Sequence, residues 1–413
     1  MKIVILTQYF PPEVGAPQNR LFELATNFRK FGSNVTVLTA MPNYPNMVIQ
    51  EIYKRNVWCF EKIQGIEVFR SWIFVKKSDS IFLRLLNYFS FVLSSFFLGL
   101  FKLKKHDYLI CESPPLFLGI TAFLLAKIKK SKLVFNVADL WPESAEKLNI
   151  ISNHYLLYLA EKLELFLYHH SFLISGQSQG IVNNISRRTN RSVYWLKNGA
   201  DLSLFSSEIE DNNNYQNFPY GQNDFVLFYG GLFGYAQALE TVLFAAKNLI
   251  VFPEIKFILL GNGPEKVKLL KLAERLNLEN ILFMETIPRN EFASILSKIN
   301  VAIIHLRKIE LFTGIIPSKI FEAMAMKKPI LLGVAGEAKE LFIDEGKGGF
   351  FFEPENVDDL TEKILKLYYD RNLCKTFGEN GRNYVVEKFN RVKIAKDFHN
   401  TLYDNLINTN ENI

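Results

Sequence analysis

In the stretch TGIIPSKIFEAMAMKKPIL (313–331), Pro317 marks the start of a helix whose first turn holds Lys319, with Glu322 three residues on. A helix N-terminus carries roughly half a positive charge, so a cation in the first turn costs about 0.3–1 kcal/mol. An anion held jointly by the lysine and the helix end would offset that cost. Residues three apart share one helix face. Lys319 could therefore grip a diphosphate while Glu322 accepts hydrogen bonds from sugar hydroxyls; the plain alternative is a modest surface ion pair. DLWPES (139–144) sets Asp139, Trp141 and Glu143 at the end of an apolar run, where an aspartate either meets a substrate or caps a turn. Glycine-bearing turns recur at Gly15, at Gly230, Gly231 and Gly234, and at Gly261 and Gly263. Where a strand hands over to a helix, glycine N–H groups can approach phosphates with no side chain in the way.

Other chemistries lack their residues. The sequence has no GxxxxGK[ST] loop, no HExxH zinc pair and no DxD to hold a metal on a nucleotide diphosphate. LLGNGPEK offers two glycines after a strand but lacks the third that a dinucleotide fingerprint needs for close helix packing.

The elements that must position these residues follow a βαβ rhythm. KIVILTQYF reads as a buried strand, NRLFELATNFRKFG as an amphipathic helix and NVTVLTA as a strand; DYLICES, KLVFNVAD, SFLISGQ and VYWLKNGAD follow. An acidic, Asn-rich linker at 206–224 separates this half from a second series: FVLFYGG, KFILLGNG, NILFMET, VAIIHL, PILLGV and GGFFFEP. Alternation of this kind predicts parallel sheets covered on both faces. The fold class expected is α/β with two Rossmann-like, doubly wound domains over 1–200 and 201–380, plus a tail helix over 381–413. Open parallel sheets bind ligands at the carboxyl ends of their strands, where these motifs cluster.

The chain has 413 residues and three cysteines, Cys59, Cys111 and Cys374, too few and too scattered for a disulfide framework. Only four strong apolars follow Met1-Lys2, so no signal peptide is expected and the reading is cytoplasmic. Net charge is +6, but residues 1–199 hold 24 Lys and Arg against 13 Asp and Glu, and the remainder 24 against 29. The basic half also carries a charge-free run, LLNYFSFVLSSFFLGLF (85–101), flanked by Arg84 and by Lys102, Lys104 and Lys105. At 17 residues it is short of the roughly 20 that a spanning helix needs. It is expected to lie half-buried at an anionic inner-membrane surface; a core helix and a true span are the alternatives.

Taken in order, YFPPEVGAPQNRL, SPPLFLG, DLWPES, WLKNGAD, YGGLFGYAQALE, LLGNGPE, PSKIFEAMAMKKPIL and GENGRNYVVEKF resemble retaining glycosyltransferases of family 4, with the GT-B fold of two Rossmann-like domains facing across a cleft. The likeness covers essentially the whole chain and is strongest to the branch containing L-fucosamine (FucNAc) transferases of O-antigen and capsule assembly. It implies a metal-independent transfer from a UDP-sugar, with no cofactor, to a polyprenyl-diphosphate-linked saccharide, by a monomer or dimer that uses no nucleic acid. Donor contacts would come from Gly15, Gly230, Gly231, Gln237, Gly261, the backbone near Ile287 and Arg289, Lys319 on the diphosphate and Glu322 on the ribose. Asp139 and Lys319 would serve catalysis, and Arg20, Asn43 and Glu143 the acceptor. Two departures stand out: Gly314 occupies the place of the family's first glutamate of E-x7-E, so that carboxylate is either missing or supplied by Glu310, and Ala138 replaces a histidine or arginine. A nucleotide-sugar 2-epimerase on the same fold and a non-catalytic membrane-associated assembly protein are the rival readings.

Overall fold

A computed structural model describes residues 1–13, 15–44, 47–77, 81–147, 153–206 and 218–410. Most of the expected linker, 207–217, lies outside the described residues. The chain divides into two compact units, Met1–Asn198 with Arg391–Ile413, and Gly199–Asn390.

The first unit contains β1 (Lys2–Leu6), α1 (Ala16–Lys30), β2 (Asn34–Ala40), β3 (Trp58–Ile63), β4 (Ile66–Ser71), α2 (Ile81–Lys102) and β5 (Tyr108–Ser113). It continues with α3 (Leu118–Lys129), β6 (Lys132–Val137), α4 (Glu143–Lys147), α5 (His154–His170), β7 (Leu173–Gly176), α6 (Gln179–Thr189) and β8 (Tyr194–Trp195). The strands form one sheet in the order β3-β4-β2-β1-β5-β6-β7-β8. All neighbours are parallel except β3, which runs antiparallel to β4. Strands such as IVIL and YLIC are apolar on both sides because helices cover both faces of the sheet. One face packs Leu6, Leu38, Phe91, Leu125 and Phe135 beneath α2, α3 and α5. The other packs Ile5, Phe28, Val37 and Ile110 against Phe398 and Leu402 of the C-terminal helix Arg391–Asn410.

The second unit has β9 (Phe225–Gly230), α7 (Glu240–Asn248), β10 (Ile255–Leu260), α8 (Lys266–Arg275), β11 (Ile281–Met284), α9 (Arg289–Lys298) and β12 (Val301–His305). Then come α10 (Lys319–Ala325), β13 (Ile330–Gly333), α11 (Glu337–Lys339), β14 (Gly349–Phe351), α12 (Val357–Tyr369) and α13 (Arg371–Lys388). Its strand order, β11-β10-β9-β12-β13-β14, reverses between β9 and β12. Such a reversal opens a crevice beyond the strand ends, because the connections on either side leave in opposite directions. Asn356 and Asp370 cap α12 and α13 by accepting hydrogen bonds from Asp359 N and Leu373 N, each cap contributing about 1 kcal/mol.

Two boundaries differ from the sequence expectation. The hairpin β3–β4 was not anticipated; its turn is Gln64-Gly65, both at positive φ, a weaker signal than Asn-Gly. The tail is not one helix from 381: α13 stays in the second unit and only Arg391 onward returns to the first. Glycines fix α13 there, since a Cβ on Gly378 would lie 2.1 Å from Lys327 O and one on Gly381 would lie 3.0 Å from Met324 Cε.

Candidate functional site

In the second unit, the ends of β9 and β12 bring the opening motif together. Lys319 begins α10, and its Nζ lies 3.7 Å from the centre of the Tyr229 ring, at the end of β9. Gly231 follows at φ +138°, and a Cβ there would stand 2.7 Å from Lys319 Cε and 2.9 Å from Nζ. Only glycine leaves the ammonium its place. Although Lys319 keeps some accessible surface, protein atoms crowd it, and burial pulls its pKa down to about 7 against the opposing influence of Glu322. A lysine poised near neutrality beside a strand-end crevice is a group prepared for an anion.

Glu322 sits one turn along α10, its Oε1 4.0 Å from Arg289 Nη2. Arg289, the first residue of α9, also faces Asp201 at 3.9 Å and lies over the Phe205 ring. Its guanidinium is therefore held between two carboxylates, while Ile287 lies in the loop between β11 and α9. Gly230 makes room for aromatic packing, since a Cβ would meet Phe292 at 2.5 Å. Gln237 closes its own turn, accepting from Gly234 N at 3.1 Å. Gly314 ends a 3₁₀ turn, Glu310–Gly314, that begins with exposed Glu310.

The expectation that the glycine turns present N–H groups to a phosphate needs correction. Gly231 N donates to Leu260 O, Gly261 N to Met284 O and Gly263 N to Asn262 Oδ1. A Cβ on Gly261 would fall 1.8 Å from Gly231 O, and one on Gly263 would fall 2.4 Å from Phe233 O. These glycines let two loops interlock, backbone against backbone, and their donors are already engaged. What that interlock delivers is the position of Gly231 under Lys319.

In the first unit, the residues expected to face an acceptor are tied into the fold. Arg20 is buried and pairs with Glu112, whose other oxygen accepts from Asn136 at 2.5 Å. Asn43 is buried, its N–H donated to Glu13 Oε1 at 2.7 Å and its Nδ2 to Met41 O at 2.9 Å. Glu143 accepts from Lys147 at 2.8 Å and Asn184 at 3.5 Å. Asp139 follows β6; burial raises its pKa, opposed by hydrogen bonds from the Ser144 side chain and Leu140 N, as a turn-capping aspartate would show. Gly15 precedes α1, and a Cβ on it would strike Gln18 Oε1 at 2.5 Å.

Sequence reasoning missed Tyr229, Asp201 and Glu13. Glu13 stood in the quoted PPEVGAP, yet only the structure shows its buried carboxylate accepting from Phe10, Asn43 and Tyr44 N–H groups. Among the described residues, no three His, Cys, Asp or Glu side chains come together to ligate a metal.

Comparisons with known proteins agree with this architecture. Residues 210–384 match the family described as glycosyl transferases group 1. The chain is 26% identical to the "Putative colanic acid biosynthesis glycosyl transferase WcaI" of Escherichia coli K12, over 97% of this chain and 100% of that one. Sucrose-phosphate synthase of Thermosynechococcus elongatus superposes with a TM-score of 0.77 at 17% identity, covering 99% of both chains. Anabaena HepE, solved with UDP and glucose, gives 0.72 at 18% identity, covering 98% of this chain and 100% of that one. At those identities the structural likeness is one of fold. The protein thus has the GT-B fold, and residues 210–384 are similar to group 1 glycosyl transferases.

Proposed function

We propose that the protein is a retaining glycosyltransferase that moves an N-acetylated hexosamine or deoxyhexosamine, such as L-FucNAc, from a UDP-sugar to a polyprenyl-diphosphate-linked saccharide in surface polysaccharide assembly. The observation that carries this reading is the desolvated Lys319 ammonium over Tyr229 at the point where the strand order reverses. The UDP bound by the Anabaena neighbour and the polysaccharide role in the E. coli relative's name support the donor and the pathway class.

In the reaction, the glycosidic C–O bond to the diphosphate breaks and the acceptor hydroxyl oxygen bonds the anomeric carbon. The acceptor's proton passes to the departing diphosphate, so attack comes on the leaving-group face and configuration is kept. Charge grows on the diphosphate as it leaves, and a preorganised cation in a low-dielectric crevice stabilises that charge, typically by about 3–4 kcal/mol for one such donor. Lys319 takes that role and Glu322 accepts from ribose hydroxyls. The test is a donor screen in which UDP release is matched to the mass gained by a lipid-linked acceptor, with the product's anomeric configuration read by NMR. UDP-sugar binding without any mass gain would leave a nucleotide-binding protein and sink the transferase reading.

A further inference from the structure

The outer surface of α2 has no use in the chemistry above. Its inner side is fixed to the first unit: Phe91 and Ser95 are buried, Asn87 Nδ2 donates to Phe74 O at 2.6 Å, and Ser90 Oγ accepts from Phe74 N at 2.8 Å. Thr121 of α3 donates to Val92 O at 2.7 Å, and Lys129 Nζ to Leu100 O at 2.7 Å. The helix is long and apolar enough to cross a membrane, but these bonds hold it in the fold. Its other side presents Phe82, Leu86, Phe89, Leu93, Phe97 and Phe101 at spacings of three and four, one stripe along the helix. Leu93 is 61% exposed and Phe101 78%. A monomer rarely leaves so continuous an apolar patch without a partner for it.

Two features identify the partner. Trp72 and Trp58, both exposed, extend the stripe from the sheet edge: Ser94 of α2 hydrogen-bonds Trp72 O, and Lys102 Nζ lies 4.2 Å over the Trp58 ring. Tryptophans with one wet edge beside exposed apolar chains are the composition of a lipid interface. Charge decides between lipid and a second copy. Residues 81–106 carry four Lys and Arg and no acidic residue, and residues 114–138 carry four more, again with none. Lys102, Lys104 and Lys105, all exposed, follow the end of the stripe, and exposed Lys127 and Lys130 flank Lys129, whose Nζ reaches Leu100 O. Two such faces would repel each other, whereas an anionic headgroup layer attracts each of them.

We infer that the α2 stripe, with Trp58 and Trp72, is a monotopic docking face for an anionic lipid bilayer. The helix lies in the interface plane, apolar side chains below the headgroups and the lysines at headgroup level. This rests on the lipid-linked acceptor reading for its purpose, but the surface stands on its own geometry.

The test is sedimentation of the full chain with vesicles of phosphatidylcholine alone or mixed with phosphatidylglycerol, in the absence of donor. Binding is expected only to the mixed vesicles and is lost at high salt. Lys102→Gln with Lys104→Gln and Lys105→Gln should weaken partition about a hundredfold. Leu93→Ser with Phe97→Ser and Phe101→Ser should abolish it with circular dichroism unchanged, and Lys366→Gln with Lys375→Gln and Lys388→Gln on the second unit should leave it intact. Equal binding to both vesicles, or a lysine variant that partitions like the wild type, overturns the inference. So does a solution dimer that the apolar variant returns to monomer, which would assign the face to a second copy. UDP binding is measured separately: its survival without vesicle binding removes the docking face alone, and vesicle binding without UDP binding removes the transferase reading alone.

Discussion

Both units crowd a cation near the carboxyl ends of their strands, but they treat it in opposite ways. In the first, Arg20 is enclosed with Glu112, and Arg70 with Glu61 and the carbonyls of Ala40 and Pro11. Every charge has its counterpart inside the protein. In the second, Lys319 faces a tyrosine ring and a glycine, and its pKa falls to about 7. Enclosed pairs hold a structure together; Lys319, which among the described residues has Glu322 near it but no carboxylate at ion-pair distance, is placed for an anion that arrives later.

Substitution should separate the two kinds of site most widely. Arg20→Ala leaves Glu112 buried and unpaired, an effect of about 3–5 kcal/mol, read as a fall in denaturant midpoint; Arg20→Met with Glu112→Leu should recover most of it. Lys319→Ala should cost about 10²–10³ in turnover and weaken UDP binding, with the midpoint unchanged or higher because a desolvated charge is gone. A Lys319→Ala protein that binds UDP like the wild type would take the lysine out of the site.

The glycines sharpen the contrast within the second unit. Gly261→Ala drives a Cβ into Gly231 O, backbone against backbone, and should destabilise by about 2–3 kcal/mol. Gly231→Ala, strained at φ +138° but meeting only the flexible end of Lys319, should weaken UDP about tenfold for a smaller loss of stability, about 1–2 kcal/mol. Calorimetric titration and chemical denaturation of both variants check the order. If Gly231→Ala proves the more destabilising and binds UDP normally, the glycine serves the loop rather than the lysine.

Much of this was legible in the sequence, for physical reasons. Strands buried on both faces are uninterrupted apolar runs, so KIVIL, KLVFNV and FVLFYG announced the parallel sheets. Lys319 and Glu322 were legible because helical spacing is local. Contacts between distant segments were not: nothing in YGGLF says that Gly231 faces a lysine 88 residues later, or that Tyr229 lies under its charge. The glycine turns misled because sequence marks where a side chain is absent without showing whether ligand or backbone fills the space. Arg20 and Asn43 come to the acceptor by resemblance alone, and nothing local in the sequence points to Glu112 and Glu13, which enclose them.

The smallest effect is the most specific to Lys319. Without ligand, burial sets its pKa near 7; in the unfolded chain it stays near 10.4. The unfolded state therefore holds more protons between these values, and the ligand-free protein gains stability as pH rises from 7 toward 10. A diphosphate favours the charged lysine, so binding raises the pKa and takes up a proton. Affinity for a UDP-sugar, whose diphosphate diester does not titrate in this range, should be fullest below pH 7. It should decline by up to about tenfold per unit as pH rises through 7, then level above the bound-state pKa. Calorimetry in buffers of different protonation enthalpy measures that uptake directly. Lys319→Arg stays charged throughout and should bind with a flat profile; a slope that survives in this variant would place the titrating group elsewhere and leave Lys319 as one more internal cation, no different in kind from Arg20.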